Sequence, residues 1–197
     1  QKKAIESGVF HNDVISFGFK TFLFCHEEAF ENQSKKLSEL TQQFKKVTNK
    51  KLHVIEVKKT ALSLNECIQT YLFNSQVIIK NKKTILLCPI DVKKNKKSHL
   101  ITKKWKENGY FSDIEFTDIK SSLMNGGGPA CLRLCLYLNE SEIKKMDKKF
   151  HLSTPLIDKL HTYISTHYPN NICLKNIQEC PDKYRKITTP IEEIFFH

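Results

Sequence analysis

The sequence predicts an α/β fold assembled from strand–strand–helix–strand units, and three observations predict it. Short segments that alternate apolar and polar residues come in pairs across polar turns. Each pair is followed by a segment with apolar residues at helical spacing and then by one further strand. The order occurs twice, the turns at Gly18 and Asn81 setting a spacing of 63 residues from position 18 to position 81. Units of this kind pack around a common axis or extend an open α/β sheet, and the pattern alone leaves both open.

Val14–Phe17 and Thr21–Cys25 are the first pair of strands, turning at Gly18. A helix is predicted from Asn32 to Val47, with Phe30, Leu37, Leu40 and Phe44 on one face and lysines opposite, and Leu52–Val57 is the third strand. Ser63 opens a short helix, because its hydroxyl and the carboxylate of Glu66 have the spacing of a capping box; its far end, Phe73-Asn74-Ser75, is read as a buried turn or as support for a site. The second unit has strands at Gln76–Ile79 and Thr84–Leu87 around Asn81-Lys82-Lys83. It continues with a helix from Ser98 to Glu107 that stops at Gly109, and a strand at Asp113–Ile119. Beyond the alternating segment Leu132–Leu138, helices are predicted over Glu140–Met146 and, with Thr154 as N-cap and Pro155 at the first helical position, to Tyr168. We divide the chain into 1–150, the α/β units, and 151–197, a helical extension of the same domain; residues 172–197 receive no role.

The chain opens on Gln1 without a charged and apolar leader, so it reads as an internal or processed fragment lacking a secretion signal. No apolar run approaches the roughly 18 residues that cross a bilayer, and no membrane role is expected. The seven cysteines are odd in number, irregularly spaced and set in apolar segments, as reduced thiols of a cytoplasmic protein are. A net charge of +11 invites phosphate binding, yet only Arg133 and Arg185 are arginine and the lysines are scattered in pairs over polar faces. Nucleic acid is therefore not the expected partner.

Metal chemistry fares no better. There is no Cys-x-x-Cys and no His-Glu-x-x-His; Cys25-His26 lacks partners, and Cys131 and Cys135 on one strand would lie about 13 Å apart. No bound metal is expected. A thiol nucleophile is the better case. Three of the six glycines stand together at Gly126-Gly127-Gly128 and lead through Pro129 to Cys131 at a loop-to-strand junction. Such chemistry needs a histidine to move protons and a carboxylate to hold a cationic group, and His11 and Asp13 have those functions, Asp13 projecting to the side of His11 if the segment is extended. Asn125 and the glycine amides would form the opposite wall. Read locally, without the rest of the chain, Cys131 is a small buried apolar residue at the start of a strand.

Gly8-Val9-Phe10-His11-Asn12-Asp13-Val14, Leu23-Phe24-Cys25-His26, Thr70-Tyr71-Leu72-Phe73-Asn74-Ser75-Gln76 and Asn125–Leu134 occur in that order and closely resemble the C-terminal part of the N-succinylarginine dihydrolases. These are members of the guanidine-modifying superfamily of amidinotransferases and arginine deiminases. The resemblance implies a five-bladed α/β propeller, of which the chain would hold roughly the last two units. It implies Cys131 as nucleophile, His11 as general acid and base, and Asp13 and Asn125 as substrate-binding residues. It further implies hydrolysis of N2-succinyl-L-arginine to N2-succinylornithine, ammonia and carbon dioxide in arginine catabolism, without a cofactor, by a cytoplasmic homodimer. Two departures stand out: the family's catalytic glutamate and succinyl-binding residues come from an N-terminal half to which these residues do not correspond, and Cys135 replaces the usual arginine. A deiminase-like hydrolase and a degenerate binding or structural module are the alternatives.

Overall fold

The computed structural model describes residues 2–124, 127–128, 136, 138–147 and 152–187, which fall into two compact units, one within 1–134 and one within 135–197. The first unit is mixed α/β. After a short helix α1 (Lys2–Glu6), strands β1 (Ser16–Phe19) and β2 (Phe22–His26) pair antiparallel. Helix α2 (Gln33–Thr48) then crosses to β3 (His53–Val57), which runs parallel to β2. Helix α3 (Leu64–Thr70) leads to β4 (Gln76–Lys80) and β5 (Lys83–Pro89), again antiparallel. Helices α4 (Ile90–Lys94) and α5 (Lys96–Glu107) cross to β6 (Asp113–Thr117), parallel to β5, and α6 (Lys120–Met124) follows. The two three-stranded sheets therefore share one order, with the second strand of each in the middle.

Sequence chemistry accounts for these elements and for where they depart from expectation. The first hairpin turns at Lys20-Thr21, with Phe19 opposite Phe22, and not at Gly18, which lies in β1 opposite Leu23. Lys20 takes the positive φ of 52° that a two-residue loop requires, and the second loop places Asn81 and Lys82 at 50° and 63°. Measured between these loops the spacing is 61 residues, from position 20 to position 81. The strand expected from Val14 begins only at Ser16; Asn12–Val14 forms a 3-10 turn because buried Val14 and Ile15 fill the core there. Helix α3 has the reciprocal capping box of Ser63 and Glu66. Asn95 caps α5 by accepting the amides of Lys97 and Ser98, both at 3.0 Å. Gly109, at φ 75°, provides the left-handed residue just beyond that helix.

The core of the first unit is aromatic. Phe17 and Phe24, on adjacent strands, stack at 4.7 Å. Trp105 from α5 meets Phe24 edge-on at 4.9 Å and reaches Phe17 and Phe73 at 6.1 Å, so one side chain joins the first sheet, the helix of the second sheet and the turn after α3. By contrast α2 has no buried residue: Leu37 and Phe44 are half-buried and Leu40 is exposed, so the expected apolar face only lies against the surface.

The second unit contains α7 (Glu140–Lys145), α8 (Thr154–His167) and α9 (Leu174–Glu179). Asn139 and Glu142 form a capping box on α7. On α8 the cap is Ser153, accepting from the Leu156 amide, not Thr154; two adjacent hydroxyl residues compete for the cap, and Pro155 lacks an amide that the first turn leaves unbonded anyway. The strand expected over Leu132–Leu138 lies largely outside the described residues, and its described members Leu136 and Leu138 are exposed. Among the described residues, no helix is long and apolar enough to cross a membrane.

Candidate active site

His11 precedes the 3-10 turn Asn12–Val14 in extended backbone, and its ring is exposed. Asp13 lies within that turn, half-buried. A strand would set residues two apart on one side, but successive residues of a 3-10 turn are rotated by a third of a revolution, so the strand argument for placing Asp13 beside His11 does not hold. Phe10 stands edge-on to the His11 ring, 5.2 Å between centroids and 88° between planes. A cavity of about 270 Å³ opens beside them, lined by Ala4, Ile5, Val9, Phe10 and Ile15 together with His11 and Asn12.

The turn Asn12–Val14, which His11 precedes, packs on the second 3-10 turn, Leu72–Asn74, whose side chains are fully buried. Tyr71, which ends α3 with a positive φ of 52°, turns the chain into that segment. The ring of Tyr71 lies 6.3 Å from Phe10. Gly128 also reaches this segment: a Cβ at Gly128 would fall onto the Asn74 Oδ1, 2.9 Å from its Cγ and 3.2 Å from Tyr71 Cδ1. The glycine loop is further tied down where the Gly127 amide donates to Ser122 O at 3.1 Å and the Ser122 hydroxyl donates to Gly127 O at 2.7 Å. Thus the turn Asn12–Val14, which follows His11, and Gly128 of the glycine triplet both meet a third segment singled out in the sequence, Tyr71–Asn74. Cys131 and Asn125 lie outside the described residues.

The described cysteines separate by environment. Burial, with the nearby Glu56 charge, pushes the Cys25 thiol up to about 12. Burial, then the Glu66 charge, brings Cys67 to about 12, and burial outweighs a Ser75 hydrogen bond to bring Cys88 to about 12. These three thiols are protonated at neutral pH and packed in the core, which disqualifies them as nucleophiles. Cys173 and Cys180, in the second unit, are exposed, and the five described cysteines form no disulfide. Cys135 lies outside the described residues.

His26, part of the Leu23–His26 phrase, is a structural pin. Fully buried, its Nε2 lies 2.8 Å from Leu62 O and its Nδ1 accepts the Glu28 amide at 3.1 Å, which makes Nε2 the protonated nitrogen. The Gln33 amide continues the network, donating to His26 O at 3.0 Å and to Glu56 at 2.7 Å. Among the described residues, no three His, Cys, Asp or Glu side chains gather closely enough to hold a metal ion. Sequence reasoning identified the Phe73–Ser75 turn but not Phe10 and Tyr71 as its neighbours; a tyrosine at positive φ leaves no local signature in the sequence.

Comparison with known proteins bears on this arrangement. The sequence model of the succinylarginine dihydrolase family matches residues 1–191. The N-succinylarginine dihydrolase of Photobacterium profundum is 37% identical over 171 residues, which is 85% of this chain and 37% of that protein. Those of Shewanella loihica and of Aliivibrio fischeri strain MJ11 are 31% identical over 192 residues and 38% over 181, covering 96% and 89% of this chain and 42% and 39% of their own lengths. The chain thus spans about two fifths of the length of the curated relatives it matches. With a match over nearly all of its residues, the chain belongs to the succinylarginine dihydrolase family.

Proposed function

We propose that the chain is the C-terminal portion of a hydrolase that converts N2-succinyl-L-arginine to N2-succinylornithine, two ammonias and carbon dioxide in arginine catabolism, with Cys131 as nucleophile and His11 as general acid and base. The observation that carries this reading is the common seat Tyr71–Asn74, which receives both the turn Asn12–Val14 immediately after His11 and Gly128, three residues before Cys131. Asp13 and Asn125 bind the substrate.

The chemistry follows from the electronic character of the guanidinium. Its carbon is a poor electrophile because the positive charge is delocalised, so a carboxylate such as that of Asp13 fixes the group while a strong nucleophile attacks. The Cys131 thiolate forms the S–C bond; the C–N bond to a terminal nitrogen breaks, and that nitrogen leaves as ammonia with a proton from His11. His11 then takes a proton from water as the water attacks the amidine intermediate and the S–C bond breaks. A second round releases the second ammonia, and the remaining carbamate loses carbon dioxide. In all, two waters are consumed. The cationic substrate and the glycine amides favour the thiolate.

The resemblance implies that the family's catalytic glutamate comes from an N-terminal half to which these 197 residues do not correspond. We therefore read the chain by itself as inactive, and as two units of a five-bladed propeller, cytoplasmic and homodimeric at full length. Succinylarginine-dependent ammonia release by the purified 197-residue chain would refute the inactivity. The test of the nucleophile is Cys131→Ser in a protein of the relatives' full length that carries this chain: loss of turnover is expected.

A further inference from the structure

We propose that Asn74 is a positioning residue, the seat that sets the turn Asn12–Val14, next to His11, and Gly128, three residues before Cys131, relative to one another. The proposal rests on the assignment of Cys131 and His11 given above. Three contacts converge on this short segment. The turn Asn12–Val14 packs on the turn that contains Asn74. Phe10, edge-on to His11, leans toward Tyr71 at 6.3 Å. Gly128 comes so close to the Asn74 amide and the Tyr71 ring that no side chain fits between them. Asn74 is fully buried, so its amide is held by its surroundings and does not yield to a neighbour as an exposed side chain would.

The shape of this contact explains why a glycine stands at position 128. Only a residue without Cβ lets backbone rest directly on the amide. A catalytic pair is sensitive to displacements of about 1 Å, and a residue that meets Gly128 directly and whose turn packs on Asn12–Val14 is placed to limit such a displacement.

The test is the pH profile of Cys131 alkylation by iodoacetamide in the 197-residue chain, read cysteine by cysteine by peptide mass spectrometry. Cys25, Cys67 and Cys88 are the internal control for folding, since they stay unmodified while the core is intact. His11→Gln decides the underlying assignment alone: it must move the Cys131 profile, and an unmoved profile overturns both the assignment and this proposal. Asn74→Ala is expected to move the profile up by about one pH unit, a roughly tenfold lower rate at neutral pH, with the three core thiols still protected. A wild-type profile in Asn74→Ala, with His11→Gln active as a control, overturns the proposal and leaves the assignment standing. Gly128→Ala leaves Asn74 in place and is expected to lower the rate as much. Combined with Asn74→Ala, which removes the amide the new methyl would strike, it should add nothing further, whereas additive losses contradict the contact. Should Asn74→Ala expose the core thiols, Gly128→Ala alone decides: an unchanged Cys131 profile with protected core thiols overturns the proposal.

Discussion

Removing the charge of Glu66 should remove a defined part of the acid sensitivity of the first unit. Partial burial pushes the Glu66 carboxyl up, but the Ser63 amide at 2.9 Å, the Ser63 hydroxyl at 2.8 Å and Lys97 at 3.1 Å together outweigh it and hold the group at about 2 against an ordinary 4.5. A folded-state value below the unfolded one means that the ionised carboxylate stabilises the fold. The contribution is complete above about pH 4.5 and is lost as pH falls toward 2. It amounts to about 3 kcal/mol in full, of which roughly 1–1.5 kcal/mol is gone by pH 3.5 and most by pH 2.5. Glu66→Gln keeps the shape and can still accept the Ser63 amide, but it does not titrate. Trp105 is the only tryptophan, and it is buried in the core that α5 shares with both sheets, so its fluorescence reports urea unfolding of this unit. Between pH 6 and pH 3.5 the wild-type chain should lose roughly 1–1.5 kcal/mol more stability than Glu66→Gln. Parallel pH dependences over that range would refute the reasoning.

Further outcomes follow from the same packing. Iodoacetamide at pH 7.5 should modify Cys173 and Cys180 and leave Cys25, Cys67 and Cys88 untouched until urea unfolds the chain, as peptide mass spectrometry would report. Trp105→Ala should destabilise the first unit by about 3–5 kcal/mol in urea unfolding followed by circular dichroism, since it empties the centre of the aromatic cluster. His26→Leu should cost about 2–4 kcal/mol in the same assay, because the Leu62 carbonyl loses its donor and the Glu28 amide its acceptor in a buried place.

Much of the fold was legible because its signals are local. Period-two alternation located all six strands to within about two residues at each end, and Ser63 with Glu66 identified the start of α3 from spacing alone. What misled was also local. Gly18 attracted the hairpin turn because glycine is the usual donor of positive φ, while Lys20 adopts that conformation under the pull of strand pairing. Val14 and Ile15 read as a strand start because an apolar pair is equally at home in a buried turn, and only their packing on Leu72–Asn74 decides between them. The site followed the same division. His11, Asp13 and the glycine triplet stood out by residue type, and the Phe73–Ser75 turn was recognised without its purpose. Its meeting with Gly128 is a contact between residues far apart in sequence, set by the fold, and no spacing rule encodes it.

The central claim is that Cys131 forms the covalent bond to the guanidinium carbon. It is tested most directly by acid-quenching a protein of the relatives' full length, carrying this chain, during turnover of N2-succinyl-L-arginine and measuring peptide masses. We predict a substrate-derived mass on the Cys131 peptide that disappears, together with ammonia release, in Cys131→Ser. Turnover by Cys131→Ser at the wild-type rate would contradict the account.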